Sequence, residues 1–392
     1  MVASLGRPPG GALTKFVAPE ILLGMGALSE IGFAVRRMGA VRPLLVSDPG
    51  VSDAGWADEA LCHLRGVGLL PTVWTGLTPN PKDVEVHAGF TVYQEHECDV
   101  LVVVGGGSCI DAAKGIAILA SNGGRILDYE GVDKVVRPIP PIVAAPSTAG
   151  TASDLSQFAV FTDTARHAKV TLIGHALVPD ISITDPRLLM TMPSWLTGTT
   201  GLDALTHGIE AFVSRASSCL TDDYALSAIS LVHRHLLMSL EQPDSVEHRL
   251  GMARASMSAG LAFSNALLGA THAISHQLGG ALDLPHGMLN AVLLPHVIRY
   301  NAEAVPDRFL RVATALGLDT DRISSTEAGE AAAAAVTELA TCLGVPRRLR
   351  DIDVRREWLP SFAETALQDA CITTNPRPVT REHVLALLEA AF

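Results

Sequence analysis

The chain has 392 residues, 48% of them hydrophobic and 18% charged, a length that suits two domains and a composition that excludes a disordered or fibrous protein. A formal net charge of −12 speaks against nucleic acid or an anionic membrane surface as partner, since both are bound through an excess of Lys and Arg. The apolar stretches fall far short of the ~20 residues that span a bilayer, and the six cysteines are scattered without a CxxC pair, as expected of reduced thiols in a cytoplasm.

The opening MVASLGRPPGGALTK is rich in Gly and Pro and has no apolar signal region, so residues 1–13 are expected to form a flexible tail. From residue 41 to 186, β-branched runs alternate with amphipathic stretches: RPLLVSD, DEALCHLRGVG, LPTVWTG, the segment 83–97, then CDVLVVVGGG. That alternation predicts βαβ units and a mostly parallel, Rossmann-like sheet. Val100 to Val104 are apolar in succession, the pattern of a central strand covered on both faces. Further strands are expected at 141–145 and 181–185. After Pro186, Ala, Leu, Met, His and Glu dominate at helical spacing, as in LTDDYALSAISLVHRHLLMSL and AGEAAAAAVTELATCL, which predicts an all-α second domain over 187–392.

Two features of the first half suggest a nucleotide. In DVLVVVGGGSCIDAAK, Gly105, Gly106, Gly107 and Ser108 sit between a buried strand and a helix. Glycines allow close backbone approach there, and the N–H groups of a helix start attract phosphate oxygens. A glycine turn that merely closes a βα connection is the competing reading, and the spacing is not GxGxxG. Upstream, the strand PLLVS ends at Asp48, whose carboxylate could accept hydrogen bonds from an adenosine ribose and repel a 2′-phosphate, favouring NAD over NADP. The loop 145–154, APSTAGTASD, adds hydroxyl groups at another strand end.

The second half carries a candidate metal site. GLDALTHGIEAF places Asp203 and His207 four residues apart, on one helix face, and ATHAISHQLGGALDLPHG brings His272, His276 and His286 close in sequence. One carboxylate and three imidazoles can complete a metal shell and leave a position open to substrate. Asp203, His207, His272 and His286 are the expected set. Such ligands suit Fe, Zn, Mn or Ni rather than Mg or Ca. The isolated His63, His87, His96, His233, His235 and His296 read as packed or solvated residues.

With these residues in view, the chain resembles the iron-containing (group III) alcohol dehydrogenase family over nearly its whole length. GGGSCIDAAK looks like the family's GGGSxxDxxK turn, and GLDALTHGIEAF and THAISHQLGGALDLPHG like its two metal segments. TPNP at 78–81, ITDP at 183–186 and TNPRP near the C-terminus also match. The resemblance implies metal ligands at Asp203, His207, His272 and His286, with His276 lining the pocket. It implies cofactor contacts at Asp48, Gly105, Gly106, Gly107, Ser108, Asp111, Thr148 and Lys169. Lys169 and His276 are then candidates for steadying charge or relaying a proton. Where family members usually show TTAGTGSE this chain has STAGTASD, a departure on the nicotinamide side.

The implied fold is an α/β dinucleotide-binding domain over 1–186 joined to a helical metal domain, as in the dehydroquinate-synthase-like fold. The implied reaction is reversible hydride transfer between a small primary alcohol or its aldehyde and NAD, in an interdomain cleft. The metal, Fe2+ with Zn2+ as the alternative, acts there as a Lewis acid. A homodimer or higher homo-oligomer is expected. Two competing functions remain at this point: a dehydroquinate-synthase-like lyase, which needs a crowd of Lys and Arg around an anionic substrate, and a non-catalytic sensor.

Overall fold

The computed structural model describes residues 14–392, so the expected tail at 1–13 lies outside the described residues. The first half runs β1 (Glu20–Leu23), α1 (Ile31–Arg37), β2 (Pro43–Val46), α2 (Pro49–Asp53), α3 (Trp56–Gly66), β3 (Thr72–Trp74), α4 (Asp83–Glu95), β4 (Val100–Gly105) and α5 (Gly107–Asn122). It continues with β5 (Gly131–Val132), β6 (Ile142–Pro146), β7 (Phe158–Asp163), β8 (Ala168–Ile173) and β9 (Ile181–Thr184). From Pro186 onward the described elements are all helical. They are α6 (Pro186–Met190), α7 (Ser194–Val213), α8 (Cys219–Glu241), α9 (Val246–Ala266), α10 (Ala270–Leu282) and α11 (His286–Ala302), then α12 (Pro306–Ala315), α13 (Ser325–Cys342), α14 (Leu359–Thr365) and α15 (Arg381–Ala391).

Six strands form one parallel sheet in the order β1-β9-β6-β4-β2-β3. The apolar run of β4 has the physical cause inferred from sequence. Val100, Val102 and Val104 enter a core shared with α1 and α3, while Leu101 and Val103 enter the core on the opposite face, under α4 and α5. β2 and β6 divide their side chains in the same way, because successive residues of a strand point to opposite faces. The chain proceeds outward from β2 to β3, then crosses back to β4, β6 and β9. The order therefore reverses between β2 and β4, and a crevice opens beyond their carboxyl ends.

Two features depart from the sequence reading. β1 is an additional strand on the sheet edge. Residues 158–173, which sequence reasoning left without elements, form an antiparallel hairpin, β7 with β8, and β5 joins it in parallel to make a second, three-stranded sheet. The hairpin bridges the two halves. Phe158 packs edge-on against Phe263 of α9 with ring centroids 5.6 Å apart, and Gly280 of α10 lies so close to β8 that a Cβ there would sit 2.5 Å from the Lys169 nitrogen. The helical core consequently takes in Ala149, Ala152, Leu155, Phe158 and Ile173 from before residue 186.

Lys114 of α5 is fully buried, and its Nζ donates to Ser153 Oγ (3.1 Å), Ser156 O (2.9 Å) and Phe158 O (2.6 Å). It anchors the segment entering β7 beside the buried carboxylates Asp111 and Asp154. Burial lowers its pKa to about 8, against the pull of those two carboxylates. Lys114→Met should therefore cost about 3–5 kcal/mol, the usual consequence of stripping one partner from a buried charged group. The measurement is the denaturation midpoint; an unchanged midpoint would rule out this anchoring role.

Candidate active site

Helix α7 presents Asp203, His207 and Glu210 at i, i+4 and i+7, on one stripe of the helix, and all three are buried. Glu210 is the organiser. Its carboxylate accepts from Gly269 N (2.9 Å) and Thr271 N (2.7 Å) at the start of α10, and from His272 Nδ1 (2.7 Å). Gly269, the residue that caps α10, offers no side-chain cap of its own, so Glu210 supplies from another helix the acceptor that the free N–H groups require. Asn375 Oδ1 completes the cap by accepting from Ala270 N at 3.1 Å, which gives the TNPRP motif a structural task. A Cβ at Gly269 would press on both acceptors, at 2.9 Å and 3.0 Å.

By accepting a hydrogen bond from His272 Nδ1–H, Glu210 leaves Nε2 unprotonated and turned toward Asp203, whose Oδ1 is 3.9 Å away. One ligand atom each from Asp203, His207 and His272 lie within 4.8 Å of one another. His286, the first residue of α11, joins through Asp203, with Nε2 3.7 Å from Oδ1. The first turn of α11 is pressed onto α7: a Cβ at Gly287 would collide with Thr199 O. The four residues singled out in the sequence are therefore brought together.

The cluster has the electronic character of a cation site. Desolvation, and then the neighbouring imidazoles, hold His272 and His286 well below the ordinary histidine pKa. His207 is also lowered, by burial, against the opposing pull of Asp203 and Glu210. Burial raises Asp203. The imidazoles are thus neutral, the form that ligates metal. Asp203 Oδ1, His272 Nε2 and His286 Nε2 converge on a single donor, Asn290 Nδ2, at 2.7, 3.2 and 3.1 Å, and His207 Nδ1 is buried without a hydrogen-bond partner. Three acceptors facing the two hydrogens of one amide leave electron density unspent, so the residues fit a divalent metal.

His276, one turn beyond His272, bonds through Nδ1 to Asp369 Oδ2 at 2.8 Å. Burial works to raise Asp369, but the charge and hydrogen bond of His276 outweigh it and hold the carboxyl below its usual range. Cys371 stands beside the pair. Burial, reinforced by Asp369, pushes its thiol well above the usual range, so it offers no thiolate.

Two cavities meet at these groups. The outer, about 710 Å3, is lined by Asp48, Gly106, Gly107, Ser108 and Thr148 and reaches Trp195 on α7. The inner, about 140 Å3, is lined by His207, His272, His276, His286, Lys169 and Asp111. Gly107, Ser108 and Thr151 belong to both. The outer cavity occupies the crevice between β2 and β4. Asp48 follows β2 and caps α2, accepting from Val51 N at 3.0 Å and from the Cys109 thiol at 3.3 Å. Gly106 begins α5 without a side-chain cap. The glycines are required for space rather than for a left-handed backbone. None of the three has positive φ, but a Cβ at Gly107 would lie 2.7 Å from the Thr151 side chain. Gly105 lines neither cavity; it lies under the turn, where a Cβ would meet Cys109 Sγ at 2.5 Å. Asp111 borders the inner cavity, yet its carboxylate is already engaged by Ser153 Oγ and Val160 N.

Lys169 of β8 donates to Asn80 Oδ1 at 2.7 Å, and Asn80 Nδ2 in turn reaches Asp283 Oδ1 at 2.6 Å. Burial lowers the Lys169 pKa to about 8, against the pull of Asp283 and Asp111. Sequence reasoning missed Glu210, Asn290, Asn80 and Asp369 as site residues. Glu210 and Asn290 had a signal, helical spacing from Asp203 and His286. Asp369 had none, since it arrives from a distant turn.

Comparison with known proteins agrees with this architecture. Residues 18–186 match the family described as iron-containing alcohol dehydrogenase, and residues 197–392 match the C-terminal part of the Fe-containing alcohol dehydrogenase family. The chain is 40% identical over 380 residues to the 1,3-propanediol dehydrogenase of Citrobacter freundii, covering 96% of this chain and 98% of that protein. It is 37% identical over 377 residues to the NAD-dependent methanol dehydrogenase of Bacillus methanolicus, covering 96% and 99%. A crystal structure of 1,3-propanediol oxidoreductase superposes with a TM-score of 0.94 at 40% identity, over 97% of this chain and 100% of that one. The fold and cleft define an α/β-plus-helical oxidoreductase. The chain belongs to the iron-containing alcohol dehydrogenase family, and it is an NAD-linked oxidoreductase of alcohols and aldehydes.

Because Glu210 sets the His272 tautomer, Glu210→Gln should weaken metal binding by about 10–100-fold, the usual effect of losing a partner behind a ligand. Titration of the apo-protein with Fe2+ or Zn2+ reads this directly. Unaltered affinity would show that the Glu210 contact serves only to cap α10.

Proposed function

We propose that Asp203, His207, His272 and His286 hold an iron ion, that the outer cavity binds NAD in preference to NADP, and that the inner cavity receives a small primary alcohol or its aldehyde. The observation that carries the reading is the meeting of the two cavities at Gly107, Ser108 and Thr151. A nicotinamide whose pyrophosphate rests on the start of α5 has its reactive end directed toward the histidine cluster. The metal, when bound, supplies Lewis acidity toward the substrate oxygen. Fe2+ is favoured by the family, and Zn2+ suits the same donor set.

The chain's own residues do the rest. Phe263 and Leu268, which line the inner cavity, keep water from the reacting carbon. Its small volume admits a substrate of few carbon atoms. His276, with Nδ1 committed to Asp369, presents Nε2 as the group that accepts or returns the hydroxyl proton. Lys169 holds positive charge at the mouth, fixed by Asn80. It is the one Lys or Arg lining the inner cavity, too few for the anionic substrate of a dehydroquinate-synthase-like lyase. Asp48 stands at the ribose end, where a carboxylate repels a 2′-phosphate.

The same reading assigns 14–186 to the nucleotide and 187–392 to the metal, with the β7–β8 hairpin as bridge. It places the enzyme in the cytoplasm, consistent with six free cysteines and with no described helix long and apolar enough to cross a membrane. A homodimer or higher homo-oligomer fits the side of the edge strand β1 that no described strand pairs, where Leu23 at its end and Met25 just beyond are exposed.

His272→Ala should abolish both metal retention and turnover while leaving NAD binding intact, because the outer cavity includes no histidine. Metal analysis, NADH absorbance and a direct NAD titration separate these effects. Full activity with full metal content would overturn the ligand assignment. At the ribose end, Asp48→Gly should lower the NAD over NADP ratio of kcat/KM by about tenfold. Asp48→Asn should move the ratio in the same direction while keeping the α2 cap. A ratio unmoved in both variants would remove Asp48 as the selector.

A further inference from the structure

A third sizeable cavity, about 280 Å3, shares no lining residue with the other two. It lies between α11, α13, the turn at 345–348 and the end of α15. Val292, Pro295 and Val345 form apolar walls, His296, Arg299, Arg347 and Arg348 supply polar lining together with Thr337 and Thr341, and no carboxylate of the described residues lines it. The arginines differ in their commitments. Arg299 is gripped through Nε and Nη2 by Glu330, at 2.7 and 2.8 Å. Arg355 and Arg356, a few residues beyond the turn, are paired with Glu357 and Glu389. Arg347 and Arg348 are exposed and, among the described residues, take part in no ion pair. Two adjacent guanidinium groups thus stand at an apolar-walled cavity without a counter-charge, in a chain whose net charge is −12.

We propose that this cavity binds a small phosphorylated metabolite. Arg347 and Arg348 hold the phosphate through the forked geometry that guanidinium groups offer to phosphate oxygens, and the carbon skeleton lies on Val292, Pro295 and Val345. Two unneutralised positive charges match the charge of about −2 on a phosphate monoester. The volume is below the roughly 300 Å3 at which pockets for drug-sized ligands begin, so the ligand is smaller than a nucleotide. The site is independent of the oxidoreductase reading and would survive revision of it.

The test is calorimetric titration of the full-length protein, saturated with NAD so that the phosphate-binding turn at Gly106 is occupied, with glycerol 3-phosphate, glycerol and inorganic phosphate. Saturable binding of glycerol 3-phosphate is expected, with none for glycerol and weaker binding for inorganic phosphate. Arg347→Ala and Arg348→Ala should each weaken it roughly tenfold or more, since a hydrogen bond to a charged group is lost, with basal turnover and the denaturation midpoint unchanged. Absence of saturable binding, or affinity unchanged in the double variant, would overturn the proposal. Inorganic phosphate binding as tightly as glycerol 3-phosphate would overturn the part assigned to the apolar walls.

Discussion

Much of the active site hangs on one buried carboxylate. Glu210 lies on α7, yet its oxygens are occupied by two backbone N–H groups and one imidazole of α10. Burial pushes its pKa upward, and the donors from Thr271, Gly269 and His272 oppose that push. A carboxylate stays charged in such a place only when donors replace its lost water. The constraint acts in both directions. The start of α10 must lie against α7 to satisfy Glu210, and among the described residues Glu210 and Asn375 supply the side-chain acceptors of its cap. One contact thereby sets helix docking, the position of His272 and its protonation pattern together.

The other half of the cleft follows from sheet topology. A parallel sheet whose strand order reverses leaves a gap beyond its carboxyl ends, and here the gap is flanked by Asp48 and the Gly106–Ser108 turn. The reason for glycine at that turn differs from the usual argument of conformational freedom. Gly106 has φ of −76°, a value open to any residue; the Thr148 side chain crowds a Cβ there, and that of Thr151 leaves no room for one at Gly107. These residues come from the loop after β6, so the turn after β4 is read by its neighbour in the sheet.

Much of this was legible in the sequence, for identifiable reasons. β4 and the helices after Pro186 follow from simple periodicity, because each buries apolar surface in a regular pattern. The proposed metal ligands stood out because all four, with His276, crowd two short segments. The β7–β8 hairpin was not legible. β7 opens with four apolar residues and only β8 alternates, so the pair shares no single pattern, and Phe158, Val160 and Lys169 line the inner cavity rather than open solvent. Asp111, a cofactor contact that the resemblance implies, lines the inner cavity while its oxygens accept from Ser153 Oγ and Val160 N. Glu210 shows the limit most clearly. Its spacing from Asp203 was visible, but a helix of mixed polarity does not announce that a glutamate is buried until the partner helix is known.

The four histidines of the cleft are also graded in exposure, and the gradient has a consequence for access. His272, His207 and His276 are almost wholly buried, at 1%, 3% and 5%, whereas the side chain of His286 remains 29% exposed. The closed side of the cluster is backed by Phe263, which stacks on His207 at 4.3 Å, and by Glu210. The open side faces Lys169 and Asn80, where the two halves of the chain meet through the Asn80–Asp283 hydrogen bond. His286 therefore marks the open side of the cluster, between the halves. Lys169, the one Lys or Arg among the described residues that line the inner cavity, stands on that side, and burial lowers its pKa to about 8. Under the proposed function, this polar mouth and the apolar Phe263 wall would turn an alcohol's oxygen toward the imidazoles and keep its carbon on the apolar side.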